Sequence, residues 1–157
     1  MKFRIAAVIA VLGGLFCVAA LEAQSVVMPK SATPEQVVAS RKFAMRANNS
    51  NLRDIRLKIE KGDSDGLVTP ALNLSAIAQL IPYVFVERYE SVYPYGGSAK
   101  YFKGAPQEDV QAEAEYLNAQ AQKLLTLAGA GKTSDLNGQL DRIKRACVSC
   151  HKKMRGE

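Results

Sequence analysis

The residues best suited to chemistry stand near the C-terminal end of the sequence, as Cys147-Val148-Ser149-Cys150-His151. Two thiols at this spacing can add to the two vinyl groups of a haem, and the histidine that follows reaches the iron from the same side. The motif therefore predicts one covalent haem c, with thioether bonds from Cys147 and Cys150 and with His151 as the proximal iron ligand.

A redox-active cysteine pair and half of a zinc site are the alternatives for this motif. A redox pair belongs at the start of a helix in a β-α-β unit, and no strand pattern surrounds these residues. Zinc would require about four ligands. The chain has one histidine and three cysteines, and Cys17 lies in the N-terminal segment. Both alternatives are therefore disfavoured.

The second axial position of the iron needs a ligand other than imidazole, because His151 is the only histidine. A methionine thioether is the soft alternative. Met28 precedes the first predicted helix and Met154 follows His151 on the same helix, which leaves Met45. The pattern leaves Met45 open to two roles, distal iron ligand or ordinary core side chain.

The N-terminal segment has the features of a secretory signal peptide. Lys2 and Arg4 precede an apolar run over 5–20, and small residues follow it. The run is shorter than the roughly 20 residues that span a bilayer, so cleavage is expected rather than a membrane anchor. The sequence therefore predicts a signal peptide over 1–23, with cleavage after residue 20 or 23, and export of one domain, 24–157, to the periplasm.

Hydrophobic periodicity predicts four helices and no strand. Thr33 and Pro34 start the first helix, which ends near Gly62. The second runs over about 66–81, where Pro82 bends or ends it.

Each predicted helix has an apolar row that marks its core face. The rows are Val38, Met45, Leu52 and Ile59; Leu67, Leu74 and Ile81; Val110, Ala114, Leu117, Ala121, Leu124 and Ala128; and Leu136, Leu140, Ile143, Cys147 and Met154. Glu113, Gln120 and Lys123 form the polar face of the third helix. The tyrosine-rich segment 83–105 is a long connection. The fold predicted is all-α, an antiparallel four-helix bundle with this long connection between helices 2 and 3.

The distribution of basic residues indicates which classes of partner the protein can bind. The formal net charge is +6, yet the basic residues are dispersed and do not alternate with aromatic ones. Nucleic-acid binding is therefore not expected. A mildly basic surface suits acidic protein partners, and contact with a membrane is expected only during export.

The chain resembles the class II c-type cytochromes, the cytochrome c′ and cytochrome c556 family, over nearly all of 24–157. The haem motif at the C-terminal end and the arginine that follows it are the most specific features. The other matching residues are Pro34-Glu35, Arg41-Lys42-Phe43-Ala44-Met45 and the turn Tyr93-Pro94-Tyr95-Gly96.

The resemblance implies roles for three further residues. Arg41 would lie near the haem propionates, with a surface salt bridge as its alternative, and Arg155 would lie on the haem side one turn beyond His151. Met45 would face the distal side of the iron. In this family an apolar residue there goes with five-coordinate, gas-accessible iron, and methionine with the six-coordinate, low-spin c556 type. Met45 therefore indicates the c556 type.

The function expected from the resemblance is electron transfer between redox protein donors and acceptors, rather than catalysis. The alternative is a five-coordinate-like cytochrome c′ that binds NO or CO as a scavenger or sensor. A peroxidase is not expected because no distal histidine exists. A homodimer is compatible with the resemblance, since relatives of the c′ type often pair.

Overall fold

The computed structural model describes residues 32–85 and 105–155, except for the side chain of Arg155. Short 3-10 turns at Asp65–Leu67 and Thr133–Asp135 precede the second and fourth helices. No strand occurs in the described ranges, and the prediction of an all-α four-helix fold is confirmed. The helices are α1 (Pro34–Lys61), α2 (Val68–Val84), α3 (Gln107–Gly129) and α4 (Leu136–Arg155).

Consecutive helices run antiparallel, because side chains near the start of one contact residues near the end of the next. Each contact below joins opposite ends of two neighbouring helices. The contacts are Arg41 on α1 with Val84 on α2, Gln107 on α3 with Pro82 on α2, and Lys153 on α4 with Glu113 on α3.

One apolar core joins the four helices. The rows predicted for α3 and α4 supply most of it: every member is buried except Cys147, which is partly buried. Small and large side chains alternate along α3, so the neighbouring helices can pack closely against it. These two rows are the most accurate part of the predicted core.

The core face of α1 is wider than predicted. Arg41, Asn48 and Ile55 are only 3%, 6% and 0% exposed, whereas Met45 and Leu52 from the predicted row are partly buried and pack against the core. The two rows lie three residues apart and form one face of the helix. Two members of the second row are polar, so hydrophobic periodicity does not reveal it.

The ends of α1 form as the sequence predicts. Thr33 and Gln36 form a capping box, in which each side chain bonds the backbone N–H of the other residue. Gly62 ends the helix in the left-handed conformation, with φ of 70°. Glycine adopts this conformation without the steric cost that a Cβ imposes.

α2 continues past Pro82 to Val84, three residues further than its predicted end. The side-chain amide of Gln107 donates to the Pro82 carbonyl at 2.8 Å, and Val84 is buried, so packing holds the last turn in place. Tyr83 therefore belongs to α2 and not to the predicted connection. The stretch 65–84 is long and apolar enough to span a membrane, yet half of it is buried inside the bundle, as in a core helix.

Two predictions fall outside the described residues. The predicted signal peptide over 1–23 lies there, as does 86–104, which is most of the predicted long connection.

Candidate functional site

The haem-attachment motif lies on α4, with its thiols turned toward the bundle. Cys147 and Cys150 are partly buried and pack against the apolar core, and no disulfide joins them. His151 is also partly buried. Residues three and four apart share a helix face, so the helix presents both sulfur atoms and the imidazole on neighbouring parts of one side.

The environment of Cys147 keeps its thiol protonated. Desolvation by burial raises the pKa of Cys147 above its ordinary value. A metal-binding cysteine needs the opposite shift in pKa. No cluster of three or more His, Cys, Asp or Glu side chains is found in 32–85 and 105–154, so the zinc alternative gains no additional ligand there.

Met45 lies on the core face of α1, the helix that follows α4 around the bundle. It is partly buried and packs against the same apolar core as Cys147 and Cys150. Within the described ranges, α1 and α4 contact each other at far fewer positions than the other neighbouring helix pairs. The space between these two helices is thus the least closed part of the bundle.

Asn48, three residues after Met45, provides a test of whether a bound group fits this region. Its side-chain Oδ1 is buried and has no hydrogen-bond partner. Such an atom costs about 1–3 kcal/mol when nothing pairs with it. Two half-buried thiols, one imidazole, one thioether and this buried amide all fit a polar-edged, mostly apolar cofactor such as haem c.

Arg41 lies deep in the protein at the end of α2. Its Nε donates to the Val84 carbonyl, and its guanidinium carbon is 5.2 Å from the centre of the Phe85 ring. Arg41 is only 3% exposed, so most of its side chain lies away from the surface. The role near the propionates stays a prediction, as does that of Arg155, whose side chain lies outside the described part.

Glu113 was predicted on the polar face of α3, and that prediction is wrong. It is 7% exposed, and its Oε1 accepts hydrogen bonds from the Ser149 hydroxyl at 3.1 Å and the Lys153 ammonium at 2.7 Å. Its Oε2 is buried with no partner. The Glu113 carboxylate therefore touches α4 inside the haem motif.

Lys153 on α4 pairs with carboxylates at the start of α3. Its hydrogen bond to Glu113, then the charge of Glu113, raises the pKa of Lys153 above its ordinary value. Its ammonium also lies 4.0 Å from Asp109, one turn before Glu113. The signal that could have revealed this cluster was electrostatic: carboxylates begin α3, cations end α4, and antiparallel packing brings these ends together.

Comparison with known proteins gives one match. The family model described as Cytochrome C′ matches residues 36–155, which include all of α2, α3 and α4 and nearly all of α1. No curated protein and no solved structure matches the chain.

Proposed function

Because the chain belongs to the cytochrome c′ family, we propose that it is a periplasmic electron-transfer cytochrome whose iron is ligated by His151 and Met45. Its cofactor is the covalent haem c of that family. When bound, this group supplies a one-electron Fe(III)/Fe(II) couple. The protein residues provide attachment, ligands and surroundings for that couple.

Cys147 and Cys150 are the residues that would form the two thioether bonds. Both thiols are partly buried on the side of α4 that packs on the core, so the attached group would lie within the bundle rather than on its surface. His151 is the only imidazole in the chain, which supports it as the proximal ligand.

The observation that carries the proposal is the location of Met45. Its thioether packs against the same core as the two cysteines, from the helix across the least closed interface of the bundle. His151 and Met45 would both hold the iron in each oxidation state. Electron transfer then needs little ligand movement, and the thioether favours the reduced form.

The outer surface of α4 supports acidic redox proteins as partners. Val148, inside the motif, is 53% exposed, and Lys144, Arg145 and Lys152 are exposed around it. An apolar centre with cations around it suits a transient complex with an anionic surface. Members of this family are typically periplasmic, which agrees with a signal peptide over 1–23.

The test of ligation compares two methionine variants of the holoprotein. Met45→Leu and Met154→Leu each replace a thioether by an apolar side chain of similar volume, so both conserve packing. We expect Met45→Leu to convert the ferric absorption spectrum from low-spin to high-spin and to admit CO to the ferrous form. Met154→Leu should retain the low-spin spectrum.

A low-spin spectrum unchanged in Met45→Leu would contradict the ligand assignment. A wild-type protein that is already high-spin and binds CO rapidly would favour the alternative, a gas-binding cytochrome c′. Loss of one thioether bond in Cys147→Ala or in Cys150→Ala, seen as a shift of the α band in the pyridine haemochrome spectrum, checks the attachment residues separately.

A further inference from the structure

Glu113 is a buried carboxylate at a place where stability alone would favour an apolar side chain. It is 7% exposed, and both of its charge-compensating contacts use the same oxygen, Oε1. Oε2 is buried and unpartnered. A buried ion pair often stabilises a fold no better than well-packed apolar residues do. The buried position of the Glu113 carboxylate therefore indicates a role other than stabilising the fold.

Both contacts of Glu113 are made to the haem-attachment segment or its next turn. Ser149 stands between the two cysteines, and Lys153 stands two residues after the proximal histidine. Ser149 and Lys153 are four residues apart and share one side of α4, the side that meets α3. One carboxylate thus bonds two successive turns of the helix that carries the cofactor.

We infer that Glu113 is a positioning residue that fixes the attachment segment against α3 and, with Lys153, sets the reduction potential of the iron. The inference rests on the haem attachment to Cys147 and Cys150 proposed above. It does not depend on whether Met45 ligates the iron.

The two charges act on the potential in opposite directions. A negative charge beside the iron stabilises the oxidised state, which carries one more positive charge, and a positive charge stabilises the reduced state. Glu113 is shielded from solvent, whereas the Lys153 side chain is 49% exposed. Salt and water screen an exposed charge more strongly than a buried one. Removing Lys153 therefore leaves the buried carboxylate without its nearest counter-charge.

The experiment measures the midpoint potential of the holoprotein by spectroelectrochemical titration at pH 7 and fixed ionic strength. We expect Glu113→Gln to raise the midpoint potential and Lys153→Gln to lower it. The double variant should have a midpoint potential between those of the two single variants, because it removes both opposing charges. A role confined to stability would not produce shifts of opposite sign.

Lys152→Gln is the matched control. It removes the same charge from the neighbouring position, but Lys152 is exposed, and the ammonium group that pairs with Glu113 in the described part of the chain belongs to Lys153. We expect a smaller shift than in Lys153→Gln. Equal shifts in the two lysine variants, shifts of one sign in Glu113→Gln and Lys153→Gln, or no shift in either would overturn the inference.

Two further measurements separate failure of this inference from failure of the proposed function. The pyridine haemochrome spectrum reports whether each variant carries covalent haem c, and thermal unfolding reports whether it is folded. A wild-type chain without covalent haem would refute the attachment on which the inference rests. Variants that are folded and loaded but have the wild-type potential would refute the inference alone.

Discussion

Arg41 is a charged side chain whose neighbours belong to the end of another helix. Its guanidinium bonds the Val84 carbonyl and lies over the Phe85 ring. The Val84 carbonyl is in the last turn of α2, where no further helical N–H reaches it. Arg41 therefore fastens the end of α2 to the start of α1, in addition to the role near the propionates that the family resemblance implies.

Replacing Arg41 should destabilise the protein. Arg41→Met keeps a long side chain but removes the charged donor, and hydrogen bonds to charged groups contribute about 1.5–3 kcal/mol. We expect the free energy of unfolding of the holoprotein, measured by urea denaturation, to fall by about 2–3 kcal/mol. Arg53→Met, at an exposed position on the same helix, should change it by less than about 0.5 kcal/mol. Equal effects of the two variants would contradict this role of Arg41.

Asn48 and Glu113 show where prediction from the sequence stopped, whereas the family resemblance already implies a role for Arg41 beside the haem. Periodicity identifies a helix face from its apolar members, so polar residues on that face are assigned to solvent. Arg41, Asn48 and Ile55 repeat every seven residues, as the predicted row of α1 does, but only Ile55 is apolar. Glu113 is buried because α4 covers it, and that contact depends on tertiary packing.

The helices themselves were predicted well because their signals are local. The start of α1 follows from Thr33 and Pro34, whose cap geometry needs only the residues of the first turn. The extension of α2 past Pro82 was not predicted, because it depends on a side chain of α3. Local residues thus determine where a helix ends, except where hydrogen bonds from a neighbouring helix extend it.

Gly62 provides a test of the end of α1. Gly62→Ala would force a side chain into a left-handed conformation with φ of 70°, which costs about 1–2 kcal/mol. We expect a lower melting temperature with an unchanged haem spectrum, since Gly62 is exposed and far in sequence from the motif.

Gly129→Ala is the control, because a Cβ there meets nothing within 4 Å and the helical backbone accepts alanine. That variant should keep or slightly raise the melting temperature. A stable Gly62→Ala protein would contradict the prediction.

The molecule as a whole carries a positive charge of +6, and a basic group of side chains surrounds Val148 on α4. Helix number, order and direction follow from sequence patterning, and the family match agrees with them. The sequence pattern did not predict that some neighbouring helix pairs pack much more extensively than others. Packing between helices depends on which side chains meet, and a row of apolar residues along one helix does not specify its partner.

Small redox reagents can test the basic surface. We expect oxidation of the ferrous holoprotein by ferricyanide, an anion, to slow as salt is added, and oxidation by the cationic tris(phenanthroline)cobalt(III) to accelerate. Lys144→Glu with Lys152→Glu should slow the ferricyanide reaction roughly tenfold at low salt, the lower end of the range for steered association.

Lys123→Glu is the control for this measurement, because Lys123 is exposed on α3, away from the motif. Combined with Lys132→Glu, it makes the same change in net charge. An equal loss of rate in both double variants would show that total charge, and not the surface of α4, governs the reaction.

The sparse contact between α1 and α4 has a consequence for the order of events during maturation. Helices adjacent in sequence pack on each other more extensively than α1 packs on α4, and contacts between segments that are close in sequence tend to form early. α1 and α4 are the neighbouring helices farthest apart in the sequence, so we expect the interface between them to form last. Until then the half-buried thiols of α4 remain within reach of an attachment enzyme. Covalent attachment of the haem would therefore precede closure of the α1–α4 interface, and α1 would then pack over the attached cofactor.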